Sequence, residues 1–373
     1  MARTQWQRDL RRAVWRQLML DRHEQHPLVQ GALSSLSALY GSLSALRRTY
    51  YASQPRQRLP LRTISFGNVT WGGTGKTPCL HHVARYLAGR DVPFMLVSRG
   101  YGDDEWKMFA AEFPESALAL GAHRYEAAMK QICAHSSKKA AIALVDDGLQ
   151  QYSLQKDLEI VMLDAYNPFG NGALLPQGRL RERPEVALPR ADIVILHHAD
   201  HLQPTEVAAL TTRIRPWLRP DAVVATTRME ITALPLVSEA AACVQTRVAP
   251  PLATKDTALV VGLCGIGCPA SFQDALRKVF PASALHMEIF PDHHAYTTED
   301  LQSVASAIET HRDGRDVLVV TTEKDFFRAP GLLQASLGAD YELRVALSQL
   351  TFIQERDAVF AHIDKLLATP FEA

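Results

Sequence analysis

A glycine-rich run between a predicted strand and a predicted helix constrains the possible folds of this chain more than any other feature. Residues 67–78 read Gly-Asn-Val-Thr-Trp-Gly-Gly-Thr-Gly-Lys-Thr-Pro, after the candidate strand Leu61–Phe66 and before a helix predicted from Thr77 to about Ala88. Glycines let several backbone N–H groups surround a phosphate, and the amino end of the following helix adds a favourable dipole. In such a loop Lys76 reaches the β- and γ-phosphates, and the Thr77 hydroxyl binds Mg²⁺.

The loop departs at one position from the general phosphate-loop pattern, G-x-x-x-x-G-K-[ST]. Thr70 stands where the first glycine is expected, and the glycines further along the loop compensate for it. The backbone predicted to hold phosphate is that of Gly72, Gly73, Thr74 and Gly75. An ordinary strand-to-helix turn is the alternative, and the Gly-Lys-Thr sequence in this context disfavours it.

Two adjacent carboxylates provide a second part of such a site. Asp146 and Asp147 directly follow the apolar run Ala140–Val145. A phosphate loop needs an acid at the end of a neighbouring strand to hold the metal ion. We therefore expect Asp146 to bind Mg²⁺ together with Thr77, with Asp147 assisting. Taken alone, the two acids would also fit a solvated turn.

Short apolar runs alternate with helix-like segments along most of the chain. Several runs are continuous in Val, Ile and Leu, which is typical of strands buried on both faces of a parallel sheet. Such alternation predicts a doubly wound α/β architecture. The candidate strands after the glycine-rich run are Val92–Val97, Ala140–Val145, Leu158–Leu163, Ala191–Leu196, Ala222–Thr226, Ala258–Leu263, Ala284–Ile289, Val317–Thr321 and Tyr341–Ala346.

A looser, proline-containing region divides this alternating pattern. It runs from about Met229 to Asp256 and includes the pair Pro250-Pro251. Since the length of 373 residues also suggests two domains, we predict two doubly wound α/β domains. The predicted divisions are a basic N-terminal segment with an apolar helix (1–50), a domain like those of P-loop NTPases (51–229), a linker (230–257) and a smaller α/β domain (258–373).

Charge is unevenly distributed along the chain. Residues 1–62 hold eleven Arg, no Lys and three acidic residues, and because the whole chain is neutral, the remainder is acidic. Residues Pro27–Leu46 carry no charge, and leucines recur there at spacings of three and four, on one face of a helix. Serines dilute this segment, which makes it marginal as a membrane span. The pattern indicates an anionic partner, a membrane or a nucleic acid, and a helix that either lies in a membrane interface or packs against its own domain.

Composition excludes several classes of protein. Apolar residues make up 47% of the chain and charged residues 21%, which excludes a disordered chain, a collagen and a coiled-coil rod. The five cysteines are odd in number and scattered, so we expect a reducing compartment rather than a disulfide framework. Cys264 and Cys268 are predicted to be structural turn residues, because two thiols alone are too few for a closed zinc site.

The sequence also bears on the identity of the nucleotide. The guanine-recognition pattern Asn-Lys-x-Asp is not found, since Thr322-Glu-Lys-Asp325 has a different order, and ATP is therefore favoured. ATPases that switch a protein partner with a Lys-Gly-Gly-x-Gly-Lys-Thr loop carry lysine where this chain has Trp71. That difference weakens a membrane-tethered switch ATPase as the alternative function without excluding it.

Six further motifs follow one another along the chain. They are Ser98-Arg-Gly-Tyr101, Asp146-Asp-Gly-Leu-Gln150, Gly170-Asn-Gly-Ala-Leu-Leu-Pro-Gln-Gly-Arg-Leu-Arg-Glu182, Cys264-Gly-Ile-Gly-Cys-Pro269, Phe290-Pro-Asp-His-His294 and Thr321-Thr-Glu-Lys-Asp325. Because these motifs occur in this order together with the glycine-rich loop, the chain resembles the tetraacyldisaccharide 4′-kinases over roughly residues 28–325.

This resemblance implies an activity, cofactors and partners. Enzymes of the family use ATP and Mg²⁺ to phosphorylate the 4′-hydroxyl of an acylated glucosamine disaccharide 1-phosphate lipid, which gives the lipid A precursor lipid IVA. The resemblance implies work at the cytoplasmic face of the bacterial inner membrane, or at a mitochondrial membrane in a eukaryotic source. It favours a membrane surface over nucleic acid as the partner of the N-terminal segment, and it implies no obligate protein partner. A kinase for a different small acceptor is a further alternative.

The resemblance also implies roles for individual residues. Asp104 is the implied base that orients the sugar hydroxyl, with Asp103 as the alternative because this loop is shorter than in bacterial members. His293 is implied to support that base. Arg181 is implied to contact phosphate and Glu182 to lie near Mg²⁺. From the residues alone, a solvated acidic loop, a structural histidine and a surface ion pair would also fit these positions.

Two further segments carry weaker expectations. Arg99 is a candidate contact for the substrate phosphate, and Thr321–Asp325 is expected near the nucleotide. Arg179 stands where the family commonly has proline, so the loop around it is expected to differ.

Overall fold

Eleven strands are found in the described part of the chain. The computed structural model describes residues 27–100, 103–134, 140–246 and 259–370. The start of the basic segment (1–26), the side chains of Asp103 and Asp104, and 247–257 of the predicted linker with the adjoining residue 258 lie outside the described residues. The strands are β1 (Arg62–Asn68), β2 (Phe94–Ser98), β3 (Ala117–Leu120), β4 (Ile142–Asp146), β5 (Leu158–Asp164), β6 (Ile193–His197), β7 (Val223–Ala233), β8 (Leu259–Cys264), β9 (Ala284–Ile289), β10 (Val317–Thr322) and β11 (Glu342–Gln354).

The strands form one sheet whose direction reverses at a single junction. Their order is β3-β2-β4-β1-β5-β6-β7-β11-β10-β8-β9. Neighbours from β3 to β7 are parallel and form the first group of strands, and neighbours from β11 to β9 are also parallel and form the second group. Strands β7 and β11 pair antiparallel. Strand β11 pairs with β10 through its first half and with β7 through its second, so the carboxyl ends of the two parallel groups point toward each other.

Helices connect the strands and cover the sheet. They are α1 (Pro27–Ala52), α2 (Lys76–Ala88), α3 (Asp103–Glu112), α4 (Arg124–Ala134), α5 (Pro184–Ala187), α6 (Pro204–Ile214), α7 (Ala240–Thr246), α8 (Pro269–Val279), α9 (Thr298–Arg312), α10 (Glu323–Arg328), α11 (Pro330–Ser336) and α12 (Arg356–Ala368). Strand β4 shows how both faces are buried. Ile142 and Leu144 pack in a cluster with α2 and α12, whereas Ala143 and Val145 pack in a cluster with α4. This burial on both faces explains the continuous apolar runs.

The α/β fold class predicted from the sequence is confirmed, with three differences in detail. All ten candidate strands are present, but β3 was not predicted, because four residues of Ala and Leu carry little strand signal. Strands β7 and β11 extend well beyond their predicted ends, since they also form the antiparallel junction. Residues 230–246, expected to be a loose joint, contain the end of β7 and helix α7. The division into domains stays a prediction.

Helix α1 packs on the rest of the chain through its polar side. Ser37 Oγ donates to the carbonyl oxygen of Leu174 at 2.8 Å and accepts from the backbone N–H of Gln177 at 3.0 Å. The Tyr40 hydroxyl donates to the carbonyl oxygen of Arg181 at 3.1 Å. The opposite face consists of exposed apolar side chains: Val29, Leu36, Leu39, Leu43 and Leu46. No helix among the described residues is long and apolar enough to cross a membrane.

Glu112, at the end of α3, forms a buried charged contact with α2 that should make the stability of the fold depend on pH. Its carboxylate contacts His81 Nδ1 at 2.6 Å and also accepts from Arg85. Burial raises the pKa of Glu112, but His81 and Arg85 outweigh that effect and hold the pKa well below its ordinary value of 4.5. Because the folded state binds this proton more weakly than the unfolded state, the contribution is present above pH 4.5 and is lost as the pH falls further.

We therefore expect Glu112→Gln to reduce the loss of stability on acidification. The free energy of unfolding, measured with urea from about pH 7 to about pH 3, should fall less steeply in the variant than in the unaltered protein. Glu126→Gln, on the exposed side of α4, is the matched control and should keep the original slope. Equal slopes for all three proteins would contradict the assignment.

Candidate phosphate-binding site

The glycine-rich loop joins β1 to α2 as predicted, and its glycines are required by the local geometry. Gly72 and Gly75 adopt φ values of 112° and 82°, a region that side chains rarely enter. A Cβ on Gly73 would lie 3.0 Å from the backbone of Gly267. A Cβ on Gly75 would lie 2.3 Å from Cδ2 of His197. The loop is therefore packed closely from two sides, by the turn after β8 and by the end of β6.

Side chains and backbone groups fix the rest of the loop. Thr74 is buried, and its hydroxyl accepts from Nδ2 of Asn68 at 3.0 Å. Trp71 N–H donates to the carbonyl oxygen of Arg179 at 2.7 Å, and Nε of Arg179 donates back to the carbonyl oxygen of Trp71 at 2.9 Å. The side chain of Arg179 thus contacts the phosphate loop directly.

Lys76 begins α2 beside Asp147 and Arg181. Its Nζ lies 3.7 Å from Oδ1 of Asp147, and Nη1 of Arg181 lies 2.6 Å from the same oxygen. Burial lowers the pKa of Lys76, and the charge of Asp147 opposes that shift. Burial raises the pKa of Asp147, but the two cations outweigh it and lower the pKa to about 2. Three predicted site residues therefore form one charged cluster, with more cationic than anionic charge among them.

Asp146 ends β4, directly beside β1, with Phe66 and Asp146 as partners in the sheet. Burial, aided by the charge of Glu105, raises the pKa of Asp146 to about 6. One carboxylate oxygen, Oδ2, accepts from Ser98 Oγ at 3.3 Å. The other, Oδ1, is buried and has no hydrogen-bond partner among the described residues. A buried carboxylate oxygen without a partner is a feature of a cation site.

Glu105 connects the loop to the second group of strands, and sequence reasoning did not identify it. Its Oε1 accepts from the hydroxyl of Thr77 at 3.0 Å and from Nζ of Lys324 at 2.5 Å. Glu105 is in α3, whereas Lys324 is in α10. Two features of the sequence point to Glu105. It is next to Asp104, and its partner Lys324 belongs to the Thr-Glu-Lys-Asp motif, which is expected near the nucleotide.

Glu182, predicted to assist the metal ion, lies buried among nearby polar side chains. Its Oε1 accepts from Arg190 at 2.8 Å and from Gln150 at 3.0 Å. Burial raises the pKa of Glu182, and the contacts with Arg190 outweigh that effect and lower it. Gln150 also lies 3.4 Å from Arg181 Nη1, so it links Glu182 to the cluster at Lys76.

The two residues predicted to act on the sugar hydroxyl belong to different groups of strands. Asp104 is in the first turn of α3, next to Glu105, and its side chain is outside the described part. His293 follows β9 with φ of 56°, and its backbone N–H donates to the carbonyl oxygen of Gly265 at 3.2 Å. The side chain of His293 is one-third exposed, with Nε2 3.9 Å from Oδ1 of Asp292.

Asp325, the last residue of the Thr-Glu-Lys-Asp motif, organises the loops of the second group. It is fully buried and accepts from the backbone N–H of Gly265 at 3.1 Å, from the Tyr296 hydroxyl at 2.9 Å and from Arg328 at 2.7 Å. Burial, with the neighbouring Asp325, raises the pKa of Tyr296. These contacts hold the Gly265–Cys268 turn that packs on Gly73.

A glycine-rich loop between a parallel strand and a helix, with lysine at the helix start and carboxylates ending the adjacent strand, defines a P-loop phosphate-binding α/β protein. Comparison with known proteins gives the family. The sequence profile of LpxK, the tetraacyldisaccharide-1-P 4′-kinase, matches residues 29–107 and 103–368. The chain belongs to this family of kinases.

Individual relatives are similar along most of their length. The chain is 34% identical to the tetraacyldisaccharide 4′-kinase of Anaeromyxobacter dehalogenans, over 89% of both chains. It is 30% identical to the probable mitochondrial tetraacyldisaccharide 4′-kinase of Arabidopsis thaliana, over 87% of both. The fold matches the crystal structure of LpxK from Aquifex aeolicus in complex with ATP, with a TM-score of 0.61, 20% identity, and coverage of 89% of this chain and 97% of that one.

The role of Asp325 can be tested by its effect on stability. Asp325→Ala removes one partner of a buried ion pair and should lower the free energy of unfolding by about 3–5 kcal/mol. The control is Asp221→Ala, because Asp221 is exposed and lies 4.0 Å from Arg219; it should change stability by no more than about 0.5 kcal/mol. Urea unfolding measures both variants. A stability loss as small as that of the control would rule out the organising role.

Proposed function

We propose that this chain transfers the γ-phosphate of ATP to the 4′-hydroxyl of tetraacyldisaccharide 1-phosphate, forming lipid IVA. Membership of the kinase family supports the reaction type. The observation that carries the proposal is the cluster of Lys76, Asp147 and Arg181 beside Asp146, whose Oδ1 is buried. Phosphoryl transfer depends mainly on positioning and on neutralising phosphate charge, and this cluster can supply both.

In the proposed complex the triphosphate lies along the glycine-rich loop. The backbone of Gly72, Gly73, Thr74 and Gly75 and the amino end of α2 surround the phosphates, as in other phosphate loops. Lys76 and Arg181 supply positive charge. Since Asp147 lies between these two cations at 3.7 and 2.6 Å, it holds them in place for the incoming phosphates.

The described residues also fit a Mg²⁺ ion. Magnesium prefers oxygen ligands, and Asp146 offers a buried Oδ1 that lacks a hydrogen-bond partner. The Thr77 hydroxyl would be the second ligand, and Asp147 and Glu182 would assist. When bound, Mg²⁺ neutralises charge on the phosphates and orients them. Glu105, which accepts from Thr77, would then orient that hydroxyl.

For the acceptor, we propose that Asp104 orients the sugar hydroxyl and that His293 supports it. The position of Asp104 at the start of α3 supports this role, because the adjacent Glu105 reaches both Thr77 and Lys324. Asp103 remains the alternative. A base from α3 and a histidine from the second group would both be in position only when the two groups of strands are close together.

We further propose that α1 brings the protein to the membrane surface. Exposed leucines cover one face of the helix, while its polar face is bonded to the loop that contains Arg181. A helix that buries its polar side and exposes its apolar side fits a lipid interface rather than water. The proposed site of action is the cytoplasmic face of a bacterial inner membrane, or a mitochondrial membrane in a eukaryotic source.

The enzymatic proposal predicts loss of phosphate transfer in two variants. With γ-labelled ATP, Mg²⁺ and tetraacyldisaccharide 1-phosphate in detergent micelles, Lys76→Ala should lower turnover by about 10²–10³-fold. Asp104→Ala should lower it by about 10²–10⁴-fold. Labelled lipid is the readout, and Arg90→Ala, an exposed cation just after α2 that lies 3.6 Å from Asp364, should retain turnover.

Other outcomes would redirect the assignment. Normal turnover in Asp104→Ala together with loss in Asp103→Ala would move the base to Asp103. Nucleotide binding and hydrolysis without labelled lipid would contradict the lipid kinase and favour a switch ATPase or a different acceptor.

The membrane proposal predicts a loss of vesicle binding without a loss of chemistry. The double variant Leu39→Gln, Leu43→Gln keeps good helix formers while removing two exposed apolar side chains. Each leucine buried in lipid contributes about 1.5–3 kcal/mol, so sedimentation with anionic vesicles should fall by at least about tenfold. Turnover in detergent micelles should be retained, and Ser42→Ala on the same helix should bind vesicles normally. Unchanged sedimentation of the double variant would refute the role of this face.

A further inference from the structure

A cluster of three different metal-binding side chains lies beside the phosphate site and is not used by the proposed reaction. A carboxylate oxygen of Asp164, a ring nitrogen of His198 and the thiol sulfur of Cys268 all lie within 4.8 Å of one another. Asp164 and His198 are buried, and Cys268 is partly buried. Among the residues that the structure describes, no other group of this kind is found.

The three residues come together because of the topology. Asp164 ends β5 and is paired in the sheet with His197 of β6, which places His198 just beyond the end of the next strand. His198 adopts φ of 59°, and its Nδ1 lies 3.1 Å from Oδ1 of Asp164. Cys268 belongs to the second group of strands and directly precedes α8. The reversal at β7 and β11 brings these three strand ends to one place.

From this geometry we propose that Asp164, His198 and Cys268 form a zinc site that joins the two groups of strands. A mixed set of thiolate, imidazole and carboxylate ligands is suited to Zn²⁺ and poorly suited to Mg²⁺. Zinc bond lengths of about 2.0–2.3 Å require ligand atoms roughly 3.3–3.6 Å apart in a tetrahedral site. The observed spacing reaches that geometry with side-chain shifts of about an ångström. Three protein ligands leave the fourth position for water.

The surroundings fit a cation at this place. The Asp164 carboxylate also accepts from the backbone N–H of Tyr166 at 3.3 Å, which orients it. Gly267, next to Cys268, contacts Gly73 of the phosphate loop. The zinc ion would therefore fix the turn that packs on the phosphate loop. This structural role is separate from the proposed kinase activity.

Cobalt spectroscopy tests the site independently of catalysis. The full chain is freed of metal with a chelator, kept reduced without added thiols, and titrated with Co²⁺ in excess Mg²⁺. A single equivalent of Co²⁺ should produce the near-ultraviolet band of a cobalt–thiolate bond together with visible bands of tetrahedral geometry, and Zn²⁺ should displace both. Cys268→Ser should lack the thiolate band and bind Zn²⁺ at least tenfold more weakly. Cys133→Ser, which alters an exposed cysteine on α4, should behave as the unaltered protein.

A second variant and a second measurement guard against unfolding. Asp164→Asn keeps the size of the side chain and should also weaken Co²⁺ binding at least tenfold. Zn²⁺ should raise the unfolding temperature of the unaltered protein and of Cys133→Ser, but not of Cys268→Ser. Absence of the thiolate band in the unaltered protein, or its persistence in Cys268→Ser, would overturn the proposal and leave Asp164 and His198 as a hydrogen-bonded pair.

Discussion

The antiparallel pairing of β7 with β11 brings the carboxyl ends of the two groups of strands toward each other. In a parallel sheet, loops that follow the strands gather at the carboxyl edge, and ligands bind there. This chain has two such edges, and the reversal at β7–β11 makes them face each other. At the carboxyl ends of the first group lie the glycine-rich loop, the Asp146-Asp147 pair and Asp164. At those of the second group lie the Gly265–Cys268 turn and His293. A site shared by both groups is a consequence of that single strand pairing.

The charges at this site would suit a highly anionic ligand. Lys76 and Arg181 share Asp147, and without further anions the cluster holds more positive than negative charge. The neighbouring Asp146 has an excess of negative charge around it. Burial and the charge of Glu105 both raise its pKa. A triphosphate with a divalent cation would correct both imbalances at once. These charges are partly shielded from water and paired, so the residues proposed to bind the ligand also depend on one another for their places.

Local patterns in the sequence predicted the parts of the fold that depend on local physics. Apolar runs located ten strands, and the glycine-rich run located the phosphate loop together with its helix. The antiparallel junction was harder to predict, because its strands contain polar residues such as Arg228 and Glu230. These residues are partly exposed, since one face of the paired β7 and β11 is not buried in the parallel core. Contacts between distant segments, such as Lys324 with Glu105 or Cys268 with His198, depend on how the strands are ordered, which single-sequence periodicity does not encode.

Helix α1 is bonded through the Tyr40 hydroxyl to the backbone of Arg181, a residue of the charged cluster. If the leucine face of this helix lies in a lipid interface, the distance between the bilayer surface and the phosphate site is set by that connection. The enzyme would then work at one depth, near the headgroups, and the acyl chains of its substrate could stay in the bilayer during transfer. Its rate would follow the number of substrate molecules per unit of membrane area, rather than their concentration in the surrounding solution.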